Sequence, residues 1–386
     1  MQKIKTYLIL LVIAIILLMT TLYQVEIKGQ SRNTILTFII VAITFFSVML
    51  SAKIYFEKIK IDEMFAFKLI IPIITILFVM AMPIFRSHDE DAHWLRIYDI
   101  SLGNFFTSTE YGHLFQEGAT NYPAAKLPRA VSTVLDKAYD GSSTKEIFDV
   151  KIDEDDEVIY ALPTTAIYSP TQYLPQASGV FIARMFTDRP IIMAYAARFM
   201  NVIVSFTALY FAIKLMPFGK KILLVAMSIP IALEGFTSLS PDGMTISFSF
   251  LFIAYILNLC FEKKNERFTW KQGITVTILG VILALCKIVY LPLVGLVLIL
   301  PKTKFTSRKK QAITIAIIMC VAIIANLMWL SYSTNYLAEY EEGRPVDQLT
   351  KLLSNPIKYL ETVIYSIDLN GAKYFLSMFG GEVRTK

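Results

Sequence analysis

Histidine and cysteine are scarce in this chain of 386 residues, three of each, and neither set is spaced as a ligand framework. Cys260, Cys286 and Cys320 all fall in apolar segments, which excludes a disulfide scaffold and a structural zinc site and leaves them as packing residues. No internal repeat or low-complexity tract is present, and this argues against an inverted-repeat transporter. Basic and aromatic residues do not alternate along a groove, so no nucleic acid is expected among the partners. Charge is also thin: 18% of residues are charged, while 55% are hydrophobic and 13% aromatic. A soluble globule of this length is excluded, and the composition is that of an integral membrane protein.

The net charge of +6 comes from Lys and Arg in short loops, and it orients the chain. Lys3 and Lys5 precede an apolar run over 6–23 that lacks a cleavage signature and reads as a retained helix. Runs over 35–51 and 67–85 follow, with Lys53, Lys58 and Lys60 between them. If these lysines face the cytoplasm, the N-terminus is inside and residues 86–189 form a long outer loop. Further spans are predicted over 190–215, 222–239 and 240–261, the last opening on Ser240-Pro241-Asp242. Basic residues flank the apolar segment 273–301 on both sides, so it must be a hairpin, with Lys287 at its turn. A last span over 312–330 leads to a polar outer loop over 331–374.

The fold class expected is therefore an all-α polytopic membrane protein of about nine transmembrane helices. Its outer loop should carry juxtamembrane helices, one of them running on from the 168–176 stretch to about Phe186 and too short to span, and a small β element. That β element is predicted as strands 145–152 and 157–162 around the acidic run 153–157. The chain divides into an N-terminal hairpin (1–60), a membrane core (61–301) and a further span with its outer loop (302–386).

One stretch organises the rest: Ser87-His88-Asp89-Glu90-Asp91-Ala92-His93-Trp94-Leu95-Arg96, at the exit of the third apolar run. Ser87 and Glu90 have capping-box spacing, so a helix is predicted to begin there, with Asp89, His93 and Arg96 sharing a face. Acids in a first turn also suit the positive end of a helix dipole, which is the plainer explanation for them. By topology Asp89, Glu90, Asp91, His93, Arg96, Arg184, Arg198, Glu234, Asp242 and Lys287 all fall on the outer side. A carboxylate can take the proton of an attacking hydroxyl while Arg and Lys hold a departing phosphate. Asp89, Asp91 and His93 form a weaker candidate for a divalent-metal site.

The succession Asp89-Glu90-x-Ala92-His93-x-x-Arg96-x-Tyr98, Tyr168-Ser169-Pro170-x-x-Tyr173-Leu174-Pro175-Gln176, Arg198, Ser240-x-Asp242 and Lys287-x-x-Tyr290-x-Pro292 resembles the bacterial membrane family termed domain of unknown function 2142. That family is similar to the GT-C superfamily of polytopic glycosyltransferases, which use polyprenyl-phosphate sugars. The resemblance implies a GT-C-like core and a catalytic carboxylate at Asp89 or Glu90, with Asp89 preferred because it shares a face with His93 and Arg96. It also implies that Arg96, Arg198 and Lys287, with Tyr173, Gln176, Asp242 and Tyr290, bind the lipid phosphate or sugar. The expected activity is sugar transfer from a polyprenyl-phosphate donor to a cell-envelope glycan acceptor at the outer face of a bacterial plasma membrane. Membrane lipid is a further partner, no cofactor is certain, and a divalent ion is allowed. The alternative is a non-catalytic transporter or flippase of lipid-linked sugars. His88 and Asp91 stand where the family usually has proline, and the family continues into further helices past the last residue, so 302–386 is expected to be truncated.

Overall fold

The computed structural model describes residues 62–115, 122–262, 266–334 and 345–377. The apolar runs expected over 6–23 and 35–51 lie outside the described residues. The protein is mostly helical, with a small two-stranded sheet. Helix α1 (Glu63–Ala81) begins where the Asp62 side chain accepts from the Phe65 N–H at 2.6 Å. Helix α2 (Glu90–Ser101) follows. The antiparallel strands β1 (Ala124–Pro128) and β2 (Glu157–Ala161) enclose helices α3 (Ala130–Tyr139) and α4 (Thr144–Phe148). A short 3-10 turn (Pro170–Tyr173) then feeds α5 (Leu174–Ala183).

Helix α6 (Pro190–Leu215) has proline in its first turn and has the bounds predicted for it. Next come α7 (Lys220–Met227), α8 (Pro230–Thr237), α9 (Asp242–Phe261) and α10 (Trp270–Cys286). A broken return follows, with a short α11 (Leu291–Val294) between two 3-10 turns. The long α12 (Arg308–Ser333) and then α13 (Pro345–Ser354) and α14 (Pro356–Ser377) complete the described chain. Among the described residues three helices are long and apolar enough to cross a membrane: α6, α9 and α12.

Two glycines set the closest approaches. A Cβ at Gly179 of α5 would collide with the Ala196 carbonyl of α6, and one at Gly243 of α9 would lie 2.5 Å from the Gly235 carbonyl of α8. Asn201 of α6 ties this second junction, donating to Gly235 O at 2.9 Å and Ser238 O at 2.8 Å. The region around α2, α5 and the sheet shares one apolar core, in which Trp94, Ile97 and Tyr98 pack against Val131, Val134 and Val180. Helices α9, α10 and α12 share a second core, and α1, α6, α7 and α8 a third.

Several expectations are corrected. The partner of β2 is Ala124–Pro128, not 145–152, because Ser143 and Glu146 form a capping box that starts α4 there. The acidic run 153–157 is thus not a hairpin tip but a loop entering β2, where Asp156 pairs with Arg129 and Glu157 with Lys126. The segment predicted as one span over 222–239 breaks at Ser228-Ile229 into α7 and α8, since Pro230 cannot donate and restarts the helix at its own first turn. Within the stretch 331–374, the described residues from 345 onward form α13 and α14. The hairpin expected over 273–301 does break at Lys287, which is extended (φ −148°, ψ 135°), but its return arm is a chain of short turns, with Pro292 and Gly295 within it.

Candidate functional site

Helix α2 begins at Glu90, not at a Ser87 cap. Asp89 stands at the N-cap in the left-handed region (φ 52°) and its side chain makes no capping bond, while Phe85 four residues earlier is also left-handed (φ 62°). Asp tolerates that region better than most residues and an aromatic does not, so this short approach is strained. Its shape follows from two anchors. Phe85 is fully buried against Trp94, and the Ser87 hydroxyl, instead of capping, donates to Glu234 Oε1 at 2.6 Å. His88 Nδ1 lies 3.1 Å from the same oxygen.

Glu90 is fully buried and faces Arg198 of α6. Its Oε1 accepts from Arg198 Nε at 2.7 Å and Leu239 N at 2.9 Å, and its Oε2 from Arg198 Nη2 at 2.6 Å. Arg198 completes its donors on the carbonyls of Met82 and Pro83 at 3.0 and 3.1 Å. Both residues are thereby consumed in joining α1, α2, α6 and the chain after α8. Arg96 is likewise fully buried, donating to Asp99 Oδ2 at 2.6 Å and to the carbonyls of Asn104 and Phe105 at 3.0 and 2.7 Å. Three of the charged groups singled out from the sequence are thus turned into the protein.

Of the others, His93, Asp242 and Lys287 come together, whereas Arg184 lies 5.6 Å over the Tyr98 ring and Glu234 holds Ser87 and His88. His93 is 9% exposed, and its Nδ1 lies 2.8 Å from the Tyr173 hydroxyl. Across from it, Lys287 Nζ meets Asp242 Oδ1 at 2.5 Å and sits 5.7 Å over the Tyr168 ring, which itself stands 6.2 Å from the His93 ring. Tyr290, half-buried, is near enough to feel both members of that pair. Gln176 donates to the Ser240 carbonyl at 2.9 Å, just ahead of Asp242. Gln172, which the motif reading passed over as a spacer, donates to the Cys286 carbonyl at 2.5 Å, just ahead of Lys287. Its signal was available: it stands one helical turn before Gln176 and so shares its face.

Burial lowers the His93 pKa below its ordinary 6.5; the Asp242, Asp89 and Glu90 carboxylates oppose the shift and Lys287 adds to it. The unfolded chain protonates this imidazole near pH 6.5 and the folded chain only at its lowered value. In that window the unfolded state binds more protons, so stability is lost as pH falls through it. Between about pH 7.5 and 5 the thermal midpoint of the wild type should therefore fall further than that of His93→Gln. Parallel declines would remove this role of His93.

The candidate ion site Asp89, Asp91 and His93 does not assemble: among the described residues no group of three His, Cys, Asp or Glu side chains could hold a metal ion. The Asp91 carboxylate accepts from the Ala92 N–H at 2.9 Å, and His93 is turned inward against Tyr173.

What the arrangement offers chemically is an exposed carboxylate, Asp89, near the buried His93 imidazole, and a partly exposed lysine–carboxylate pair beside Tyr168. No curated protein and no solved structure matches this chain. Residues 72–382, which include every member of the cluster, match the family described as predicted membrane protein, DUF2142, and the chain belongs to that family.

Proposed function

We propose that this protein is a membrane glycosyltransferase of the GT-C type, moving a sugar from a polyprenyl-phosphate donor to a cell-envelope acceptor on the outer face of a bacterial plasma membrane. In this reading the chain crosses about nine times, with the N-terminus inside and the acidic approach to α2 outside. The observation that carries the reading is a meeting of remote segments: Lys287 pairs with Asp242 at 2.5 Å and lies over the Tyr168 ring, 6.2 Å from the ring of His93, which Tyr173 holds at 2.8 Å.

In the proposed step Asp89 takes the proton of an acceptor hydroxyl as its oxygen bonds to the anomeric carbon of the donor sugar. The bond from that carbon to the phosphate oxygen breaks, and its electron pair leaves with the polyprenyl phosphate. Lys287 neutralises the leaving phosphate, exchanging Asp242 for it, and the Tyr290 hydroxyl donates to it. Neutral His93 shares a hydrogen bond with Tyr173 and adds no second positive charge near Lys287. Glu90, Arg96 and Arg198 serve the scaffold.

Deleting the chain from its host tests the reading. One sugar should disappear from the envelope glycan while a polyprenyl-phosphate sugar accumulates, and the wild-type chain but not Lys287→Ala should restore it. Lipid-linked sugar trapped on the inner face, with glycosidic linkages unchanged in kind, would instead favour a flippase. Glycan and lipid pools both unchanged would reject either activity.

A further inference from the structure

The turn from Tyr168 to Gln176 reaches three separate segments of the cluster: His93, Lys287 with the Cys286 carbonyl before it, and the Ser240 carbonyl just ahead of Asp242. Its conformation is set locally. The Ser169 hydroxyl accepts from the Thr171 N–H at 3.2 Å, and Pro170 and Pro175 pre-set the backbone at the start of the 3-10 turn and of α5. Gln172, Tyr173 and Gln176 are all fully buried. From this one platform Gln172 holds Cys286 O, Tyr173 holds His93 Nδ1 and Gln176 holds Ser240 O. Among the described residues the amide oxygens of the two glutamines find no donor, so each holds its partner through its N–H.

The two carbonyls so held are informative. Cys286 is the last residue of α10 and Lys287 leaves it in extended conformation, so the Gln172 bond fixes the direction in which the lysine departs. Ser240 receives the Asp242 N–H on its hydroxyl at 3.2 Å, so the Gln176 bond fixes the start of α9. Because Gln172 and Gln176 lie four residues apart on one rigid turn, the spacing between the Lys287 and Asp242 segments is set by the platform and not only by their own ion pair. We infer that Gln172, acting together with Gln176, is a positioning residue that holds Lys287 in place for the departing phosphate. This rests on the reading of Lys287 as the phosphate-binding group.

The test uses the full chain in nanodiscs with farnesyl monophosphate as probe. Gln172→Met keeps the side-chain volume and removes the donor, and Gln172→Glu keeps the length and reverses the hydrogen-bonding sense. Each should weaken farnesyl phosphate binding about tenfold, the worth of one buried hydrogen bond, and neither should weaken it further in a Lys287→Ala background. Amide exchange should also accelerate at Tyr290 and Leu291, whose N–H groups bond the Lys287 and Ile288 carbonyls. Unchanged exchange in both variants, or losses that add fully to that of Lys287→Ala, would overturn the positioning role. If Lys287→Ala binds the probe like the wild type while exchange still accelerates in the glutamine variants, the platform stands and the phosphate reading of Lys287 fails.

Discussion

Asp89→Asn should lower sugar transfer by about 10²–10⁴-fold, the range contributed by a positioned general base, while leaving the fold intact. The expectation of an intact fold comes from the backbone. Asp89 is exposed, its side chain does not cap α2, and its φ of 52° is one that asparagine adopts as readily as aspartate. Alanine at this position would confound the result, because a Cβ without a short polar side chain is disfavoured in that region. The measurement is incorporation of labelled sugar from a membrane extract of lipid-linked donors into glycan, beside a melting curve of the purified protein. Transfer within threefold of wild type at unchanged stability would remove Asp89 as the base.

Arg198→Met is expected to destabilise the protein by about 3–5 kcal/mol, because it leaves the Glu90 carboxylate buried without its partner. Solvent cannot compensate: the two side chains are 3% and 0% exposed. Glu90→Gln should also be costly, since Arg198 then keeps a buried charge facing a neutral amide. Joining Glu90→Leu with Arg198→Met should recover a large share of the stability, though not all, as the Met82 and Pro83 carbonyls and the Leu239 N–H lose partners too. The readouts are the thermal midpoint and the monodisperse fraction after extraction in mild detergent. A double variant no more stable than either single one would mean that the carbonyl contacts, not the charges, hold this junction. The consequence for function is direct: activity lost on replacing Asp89 and Glu90 together is ambiguous, because Glu90 carries the fold, so the single Asp89 replacement is the informative one.

The pair illustrates what sequence spacing can and cannot resolve. Asp89 and Glu90 are adjacent acids before an apolar helix, equivalent in charge and nearly so in reach. Their roles diverge because a left-handed residue at 89 turns its side chain outward and sends that of Glu90 to a guanidinium 108 residues away in the chain. Arg96 departs for a related reason. Helix periodicity grouped it with His93, but α2 is buried around most of its circumference, so its face carries no solvent direction, and Asp99 one turn on takes the guanidinium. The broken segment 220–237 was foreshadowed by Pro230, whereas the pairing of Ala124–Pro128 with β2 had no local signal, since strand partners are chosen by packing over a long loop.

The sequence by itself determined the membrane class, the bounds of α6, the shortness of α5 and the break at Lys287, because apolar run length, proline position and charge placement act locally and survive in any tertiary context. Only the tertiary structure decided which charges are buried against one another and which remain partly exposed. That choice depends on desolvation: Glu90, Arg96 and Arg198 are driven into pairs by burial that arises only when helices distant in sequence close over them, while Lys287 and Asp242 pair with each other yet leave 30% and 44% of their side chains exposed.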